Sequence, residues 1–273
     1  MPELHEVESY VRALRAPLIG RTITAVRVYW PRTVAQPSMR EFTRRLPGLR
    51  VRAIGRRAKY LIFELGARGS RSPAEYLLIH LKMSGQLDVT SHPKPIDRHD
   101  RVIFDLSGGR RLHFNDVRKF GRMYLVPDPE VVTGRLGPEP LSDEFTLDAF
   151  KRRLGKRKGR LKSLLLDQTF VAGIGNIYAD EALWLARLHP LQRADSLSDA
   201  ETRALYRAIR AALRDGIRRN GASFDRVYRS GNYEFRAYGR ADRPCRRCKQ
   251  PIRRTVVGQR GTYFCATCQS LRG

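Results

Sequence analysis

The hydrophobic period of this chain changes once, near its middle, and the change limits it to folds that keep strands and helices apart. Up to Val126 the apolar residues fall in short β-rich runs, 22–30, 60–65, 76–81, 102–106, 111–114 and 122–126, separated by Gly, Pro and basic turns. Ser107-Gly108-Gly109-Arg110 reads as the turn of a hairpin. Strands this short and this closely spaced predict a β-sandwich. Ahead of them, Val7, Tyr10, Val11, Leu14 and Leu18 follow helical spacing.

Pro127-Asp128-Pro129 and Leu136-Gly137-Pro138-Glu139-Pro140 form a linker, and beyond it the pattern is helical. Thr146 caps a short helix ending near Leu154, and 161–167 makes another. Val171-Ala172-Gly173-Ile174-Gly175 is a glycine turn expected to deliver Asn176 to the N-cap of a helix over 177–188. The N–H groups at such a start suit a phosphate oxygen. The same residues also fit a plain corner between two helices. Ser198-Asp199-Ala200-Glu201 is a capping box opening a long helix with Leu205, Ile209, Leu213 and Ile217 on one face.

The last segment carries Cys245-x-x-Cys248 and Cys265-x-x-Cys268, with sixteen residues between the pairs. That is the spacing of a four-thiolate zinc site. Four thiolates saturate the tetrahedral ion, so one structural zinc per chain is expected, with no open position for catalysis. Gln259-Arg260-Gly261-Thr262 reads as the turn of its hairpin, presenting Arg260. The expectation is therefore an α+β chain: a β-sandwich with an N-terminal helix over 1–132, a helical domain over 133–235 and a zinc ribbon over 236–273.

Lys and Arg number 53 against 27 acids, a formal charge of +26 spread along the whole sequence. The partner expected from it is a polyanion, DNA or RNA. No cationic leader with an apolar run begins the chain, and no apolar segment approaches the length of a membrane span, so an intracellular, non-membrane protein is expected.

The chemistry lies in Met1-Pro2-Glu3-Leu4-His5-Glu6-Val7-Glu8. Removal of Met1 exposes Pro2 as a secondary amine, which attacks a carbonyl carbon and forms an iminium. Glu3 and Glu6 beside it suit general acid or base work. Pro at a helix start with acids in the first turn is also ordinary capping grammar. Taken singly, Lys59, His80 and the 116–121 run read as a solvated basic edge or a core histidine.

Together these residues resemble the formamidopyrimidine-DNA glycosylase/endonuclease VIII family of base-excision repair enzymes. The resemblance rests on Pro2-Glu3-Leu4-x-Glu6-Val7-Glu8, Lys59, His80 to Gly85, His99, Asp116 to Gly121, Leu165-Leu166-Asp167-Gln168, Val171 to Glu181 and the cysteine finger with Gln259-Arg260-Gly261-Thr262. It implies a helix–two-turn–helix around Asn176 and a bifunctional glycosylase and abasic-site lyase acting on oxidised purines in damaged double-stranded DNA. It further implies Pro2 as nucleophile, Glu3 as acid/base at the sugar, Glu6 as a supporting carboxylate, Lys59 as proton donor or phosphate anchor, and Arg260 as donor and phosphate clamp. His80, Met83, His99, Arg118, Phe120, Arg157 and Asn176 match DNA contacts, with Met83, Arg118 and Phe120 filling the gap left by a flipped base. A monomer working in the cytoplasm at the nucleoid is expected.

The sequence departs from the family pattern at His5, where the family has proline, and at Lys82, Val117 and Lys119. An imidazole at position 5 either alters the ionisation of Glu6 or the amine, or faces solvent. Residues 221–236 are fewer than in typical formamidopyrimidine enzymes. Three other readings stay open: an endonuclease VIII-like enzyme for oxidised pyrimidines, a non-catalytic damaged-DNA-binding paralogue, and an RNA-binding zinc-ribbon protein. The retained Pro2, Glu3, Glu6 and Lys59 argue against the last two.

Overall fold

The computed structural model describes residues 3–67, 74–91, 95–219 and 233–271; Pro2 and most of the 221–236 stretch lie outside the described residues. These form two compact units, one of residues 6–135 and one of residues 3–5 together with the described residues from 136 onward.

In the first unit, helix α1 (Leu4–Leu18) buries Val7, Val11, Leu14 and Leu18, the stripe its sequence spacing predicts. Strands β1 (Ile23–Val28) and β2 (Val34–Gln36), helix α2 (Met39–Arg45), then β3 (Leu49–Arg57), β4 (Tyr60–Ala67), β5 (Glu75–His80), β6 (Gly85–Thr90), β7 (Asp100–Leu106), β8 (Arg110–Asp116) and β9 (Arg122–Val126) follow. They make a five-stranded sheet in the order β2-β9-β5-β4-β3 and a four-stranded sheet in the order β1-β7-β8-β6. Phe63, Leu65, Leu77 and Ile79 of one sheet share a single core with Val102, Phe104, Leu112 and Phe114 of the other, and α1 and Phe42 of α2 close it. This is the expected sandwich with its N-terminal helix. Burying one such side chain stabilises the fold by about 1.5–3 kcal/mol.

Three strands and two short helices of this unit, over 39–45 and 130–133, were not legible in the sequence. In β3 arginines interrupt the apolar positions, and a register shift between Val51 and Ala53 breaks the alternation. Ser38 caps α2 by accepting from the Glu41 N–H at 3.3 Å. The expected hairpin is present, with Leu106 paired to Arg110 and both Gly108 and Gly109 at positive φ.

In the second unit, a short helix α3 (Glu130–Thr133) having closed the first, α4 (Leu147–Leu154), α5 (Leu161–Leu166), α6 (Asn176–Ala186) and α7 (Asp199–Arg218) surround a core of Phe150, Leu161, Leu165, Phe170, Tyr178, Leu183, Leu205, Ile209 and Leu213. Both bonds of the Ser198/Glu201 capping box are made, at 3.2 and 2.9 Å. Strands β10 (Arg253–Val257) and β11 (Arg260–Phe264) form the ribbon hairpin. Its turn is Gly258-Gln259, both at positive φ, so Arg260 opens β11 instead of sitting in the turn as expected. The N-cap of α6 is likewise Gly175, not Asn176, and the helix ends at Ala186 with Arg187 left-handed at φ 59°.

Candidate active site and zinc centre

In the first unit, the end of the five-stranded sheet gathers most of the expected residues. Tyr60, at the start of β4, pairs with His80 at the end of β5, and His80 pairs with Arg122 at the start of β9. Lys59 precedes Tyr60 and is buried, 3% exposed, so it is not the solvated edge that its sequence suggested. A lysine this deep belongs to a functional or paired position more often than to a surface. His80 is buried too, with the Tyr60 ring edge-on at 4.7 Å, and its Nδ1 accepts from the Lys82 N–H at 3.0 Å. Burial, aided by the charges of Lys82 and Lys59, pushes its pKa down to about 3, so the ring is neutral at physiological pH.

Asp116, wholly buried, shapes the turn that follows β8. Its carboxylate accepts from Ser84 Oγ at 2.5 Å and from the N–H groups of Arg118 at 3.2 Å and Gly121 at 2.7 Å. Phe120 therefore stands out at 48% exposure, with the Arg118 guanidinium 5.1 Å from its ring centroid. Met83, next to Ser84, is half-buried. His99 joins the same end through its carbonyl, which accepts from the Asp116 N–H at 2.9 Å. Glu6 is buried in the first turn of α1.

The second unit places Glu3 at the N-terminus of α6. Its carboxylate accepts from the N–H groups of Gly175 at 3.1 Å, Ile177 at 2.7 Å and Tyr178 at 3.3 Å. The glycine-rich helix start is thus filled by a carboxylate of the chain itself, and the expectation of a phosphate there is corrected. Both glycines follow from this seat. A Cβ at Gly175 would lie 2.4 Å from Glu3 Cδ, and one at Gly173 would lie 2.6 Å from Leu4 Cδ1. The helix dipole favours an anion at this end. His5 neither faces solvent nor titrates near neutrality: it is 1% exposed, its ring stands edge-on to Tyr178 at 5.1 Å, and burial pushes its pKa down to about 3.

From the same helix start, Asn176 Nδ2 donates to the Gly261 carbonyl at 2.9 Å, holding the residue after Arg260. The structure thereby ties Glu3, Asn176 and the Arg260 hairpin to one turn of α6. Three buried residues that sequence reasoning gave no role secure this region. Lys162, fully buried in α5, donates to Asp180 Oδ1 at 2.6 Å and to the Asn176 carbonyl at 2.9 Å, and Asp180 Oδ2 accepts from the Tyr263 N–H at 3.0 Å. Burial pushes Lys162 down and Asp180 up to about 7, and in each case the charge of the partner opposes the shift. The charges of Glu3 and Arg260 are both felt at Lys162, the first raising and the second lowering its pKa. One lysine among the four leucines of α5 was the available signal. Glu181 is the other buried anchor: it accepts from the N–H groups of Arg236, Ala237 and Tyr238, which lead into the finger. Arg157 is half-buried, its guanidinium 5.9 Å from the Phe170 ring centroid.

The sulfur atoms of Cys245, Cys248, Cys265 and Cys268 lie within 4.8 Å of one another. Zinc–sulfur bonds of about 2.3 Å in a tetrahedron put sulfurs about 3.8 Å apart, so the group fits one zinc ion. Burial raises Cys268 to about 12, whereas the N–H groups of Cys248 and Arg247 outweigh burial at Cys245 and bring it down to about 6. A dication resolves that competition by holding all four as thiolates. Among the described residues no helix is long and apolar enough to cross a membrane.

A β-sandwich, a helical unit whose glycine-rich turn opens a helix, and a four-cysteine finger in one chain define the helix–two-turn–helix, zinc-finger class. The family model for the formamidopyrimidine-DNA glycosylase N-terminal domain matches residues 1–123. The helix–two-turn–helix domain model of the same glycosylase matches 136–227, and the zinc finger found in that glycosylase and isoleucyl-tRNA synthetase matches 243–271. The formamidopyrimidine-DNA glycosylase of Herpetosiphon aurantiacus is 45% identical over 99% of this chain and 100% of its own length. That of Chloroflexus aurantiacus is 46% identical over 98% of each. Among solved structures, MutM in complex with DNA containing carbocyclic 8-oxo-G superposes with a TM-score of 0.90 at 35% identity, covering 98% of this chain and all of that one. Lactococcus lactis Fpg with abasic-site DNA gives 0.89 at 33% with the same coverage. The chain belongs to the formamidopyrimidine-DNA glycosylase family.

Proposed function

We propose that this protein removes oxidised purines from duplex DNA as a glycosylase and then cleaves the strand at the abasic site. Family membership over the whole chain supports the activity. The observation that carries the mechanism is the seat of Glu3: three N–H groups fix the neighbour of Pro2 on the turn of α6 that also holds the Arg260 hairpin.

In the proposed reaction the Pro2 nitrogen bonds to C1′ of the damaged nucleotide, and the glycosidic bond breaks with its electron pair leaving on the base. Glu3 transfers protons at the sugar as the ring opens to an iminium. Loss of the C2′ proton then expels the 3′ phosphate, a second elimination expels the 5′ phosphate, and water frees Pro2. Glu6 supports the site as a second carboxylate, Lys59 serves as proton donor or phosphate anchor, and Arg260 acts as a donor and clamps a phosphate. His80, Met83, His99, Arg118, Phe120, Arg157 and Asn176 contact the duplex, Phe120 as the wedge that replaces the extruded base. The four-cysteine zinc is structural. A monomer at the cytoplasmic nucleoid, divided as 1–132, 133–235 and 236–273, completes the reading.

Specificity tests it. A ring-opened purine stacks poorly and an abasic site has no base to hold, whereas 8-oxoguanine paired with cytosine is nearly guanine and depends most on the groups closing over it. With 221–236 shortened, single-turnover rates on matched duplexes should rank ring-opened purine above 8-oxoguanine, with abasic-site cleavage intact. Equal rates on the two purines contradict the ranking, and no excision of either contradicts the proposed activity.

A further inference from the structure

Arg101 is 7% exposed, and an arginine that deep has to spend its donors inside the protein. Its Nε donates to the Asp116 carbonyl at 2.8 Å, its Nη1 to the Arg98 carbonyl at 3.0 Å, and its Nη2 lies 3.2 Å from His99 Nδ1. Its own carbonyl accepts from the N–H groups of Tyr29 at 2.8 Å and Trp30 at 3.3 Å. The Trp30 ring in turn carries Lys119 Nζ 4.3 Å from its centroid. One buried residue therefore joins three segments of the first unit: the 97–100 loop with His99, the Trp30 corner, and the Asp116 turn with Arg118, Lys119 and Phe120.

The contact with His99 also selects a tautomer. Arginine has no acceptor, so His99 Nδ1 must accept, and a neutral imidazole then carries its proton on Nε2. Arg98 Nε also donates to that same Nε2, at 3.0 Å, and because a neutral imidazole has one acceptor nitrogen the two arginines compete for the ring. Arg98 is exposed, and water can replace its contact; Arg101 is buried and has no such alternative. Nε2–H is thus left as a donor beside the exposed Arg98, suited to a phosphate oxygen.

We propose that Arg101 is a positioning residue for duplex DNA, which holds His99 as an Nε2–H donor to a backbone phosphate and fixes it in register with the Arg118–Phe120 turn. This rests on the reading above of His99, Arg118 and Phe120 as duplex contacts. A single-stranded substrate needs no opening and little of that register, which separates positioning from general damage to the fold.

The test is borohydride trapping on one abasic strand, presented alone or annealed to its complement. Arg101→Gln should reduce duplex trapping about ten- to a hundredfold, the weight of a hydrogen bond to a charged group, and leave single-strand trapping within about twofold. Arg101→Lys should show the same loss, since one ammonium cannot span the three acceptors; it also serves if the glutamine variant fails to fold. His99→Ala should lose a similar factor alone and add little in the Arg101→Gln background. Equal losses on both substrates, additive effects of the two substitutions, or full duplex trapping would each overturn the proposal. Failure of the unaltered protein to trap either substrate would sink the lyase reading beneath it.

Discussion

Replacing Glu3 with glutamine should slow base excision by about 10² to 10⁴, the usual weight of a positioned general acid or base. The structure adds a second effect. Glu3 Oε1 accepts from Ile177 and Oε2 from Gly175 and Tyr178, so both oxygens are in use at the N-terminus of α6. An amide offers one acceptor; whichever way it turns, its NH2 faces a backbone N–H, and the anion at the helix end is lost. A buried donor left without its acceptor costs about 1–3 kcal/mol, so melting should fall as well. Single-turnover rates paired with thermal melting separate the two effects. Affinity for undamaged duplex should survive, because no cation is removed. An unchanged excision rate would remove Glu3 from the chemistry and leave it as a helix cap.

Stripping the zinc should have the other large effect. The small core at the finger consists of Trp184, Ala237, Ile252 and two of the cysteines themselves, too little apolar surface to fold a hairpin unaided. Zinc binding to such sites is worth about 10–16 kcal/mol at neutral pH, and that energy folds the ribbon. The hairpin it supports meets α6 through Asn176 to Gly261 and Asp180 to Tyr263. Chelation, or Cys265→Ser, should therefore release Arg260 and abolish tight DNA binding while the α4–α7 helices persist by circular dichroism. One zinc per chain by elemental analysis is the expected stoichiometry. Tight binding retained by metal-free protein would contradict the structural role of the ion.

Local signals in the sequence carried most of this architecture. The cysteine spacing, the capping box at Ser198 and the switch of period after Val126 each depend on residues close together in the chain, and each appears in the structure where expected. Long-range satisfaction was what the sequence hid. Gly173 and Gly175 read as a phosphate cradle because nothing nearby shows that Glu3, more than 170 residues earlier, fills it. His5 read as an imidazole free to titrate, and only its packing against Tyr178 shows a buried neutral ring. Lys59 read as an edge because burial of a lysine is decided by tertiary partners, not by its neighbours in sequence. Strand β3 was masked by Arg50, Arg52, Arg56 and Arg57, which interrupt its apolar positions.

The covalent bond between Pro2 and C1′ is the step that every other assignment depends on. Borohydride added during reaction with abasic-site duplex should reduce the iminium and leave protein bonded to DNA in stoichiometric yield, with proteolysis placing the adduct on the N-terminal peptide. Pro2→Gly, and protein retaining Met1, should lose most of that product. An adduct formed in full by the Pro2 variant, or mapped to Lys59 instead, would contradict the account.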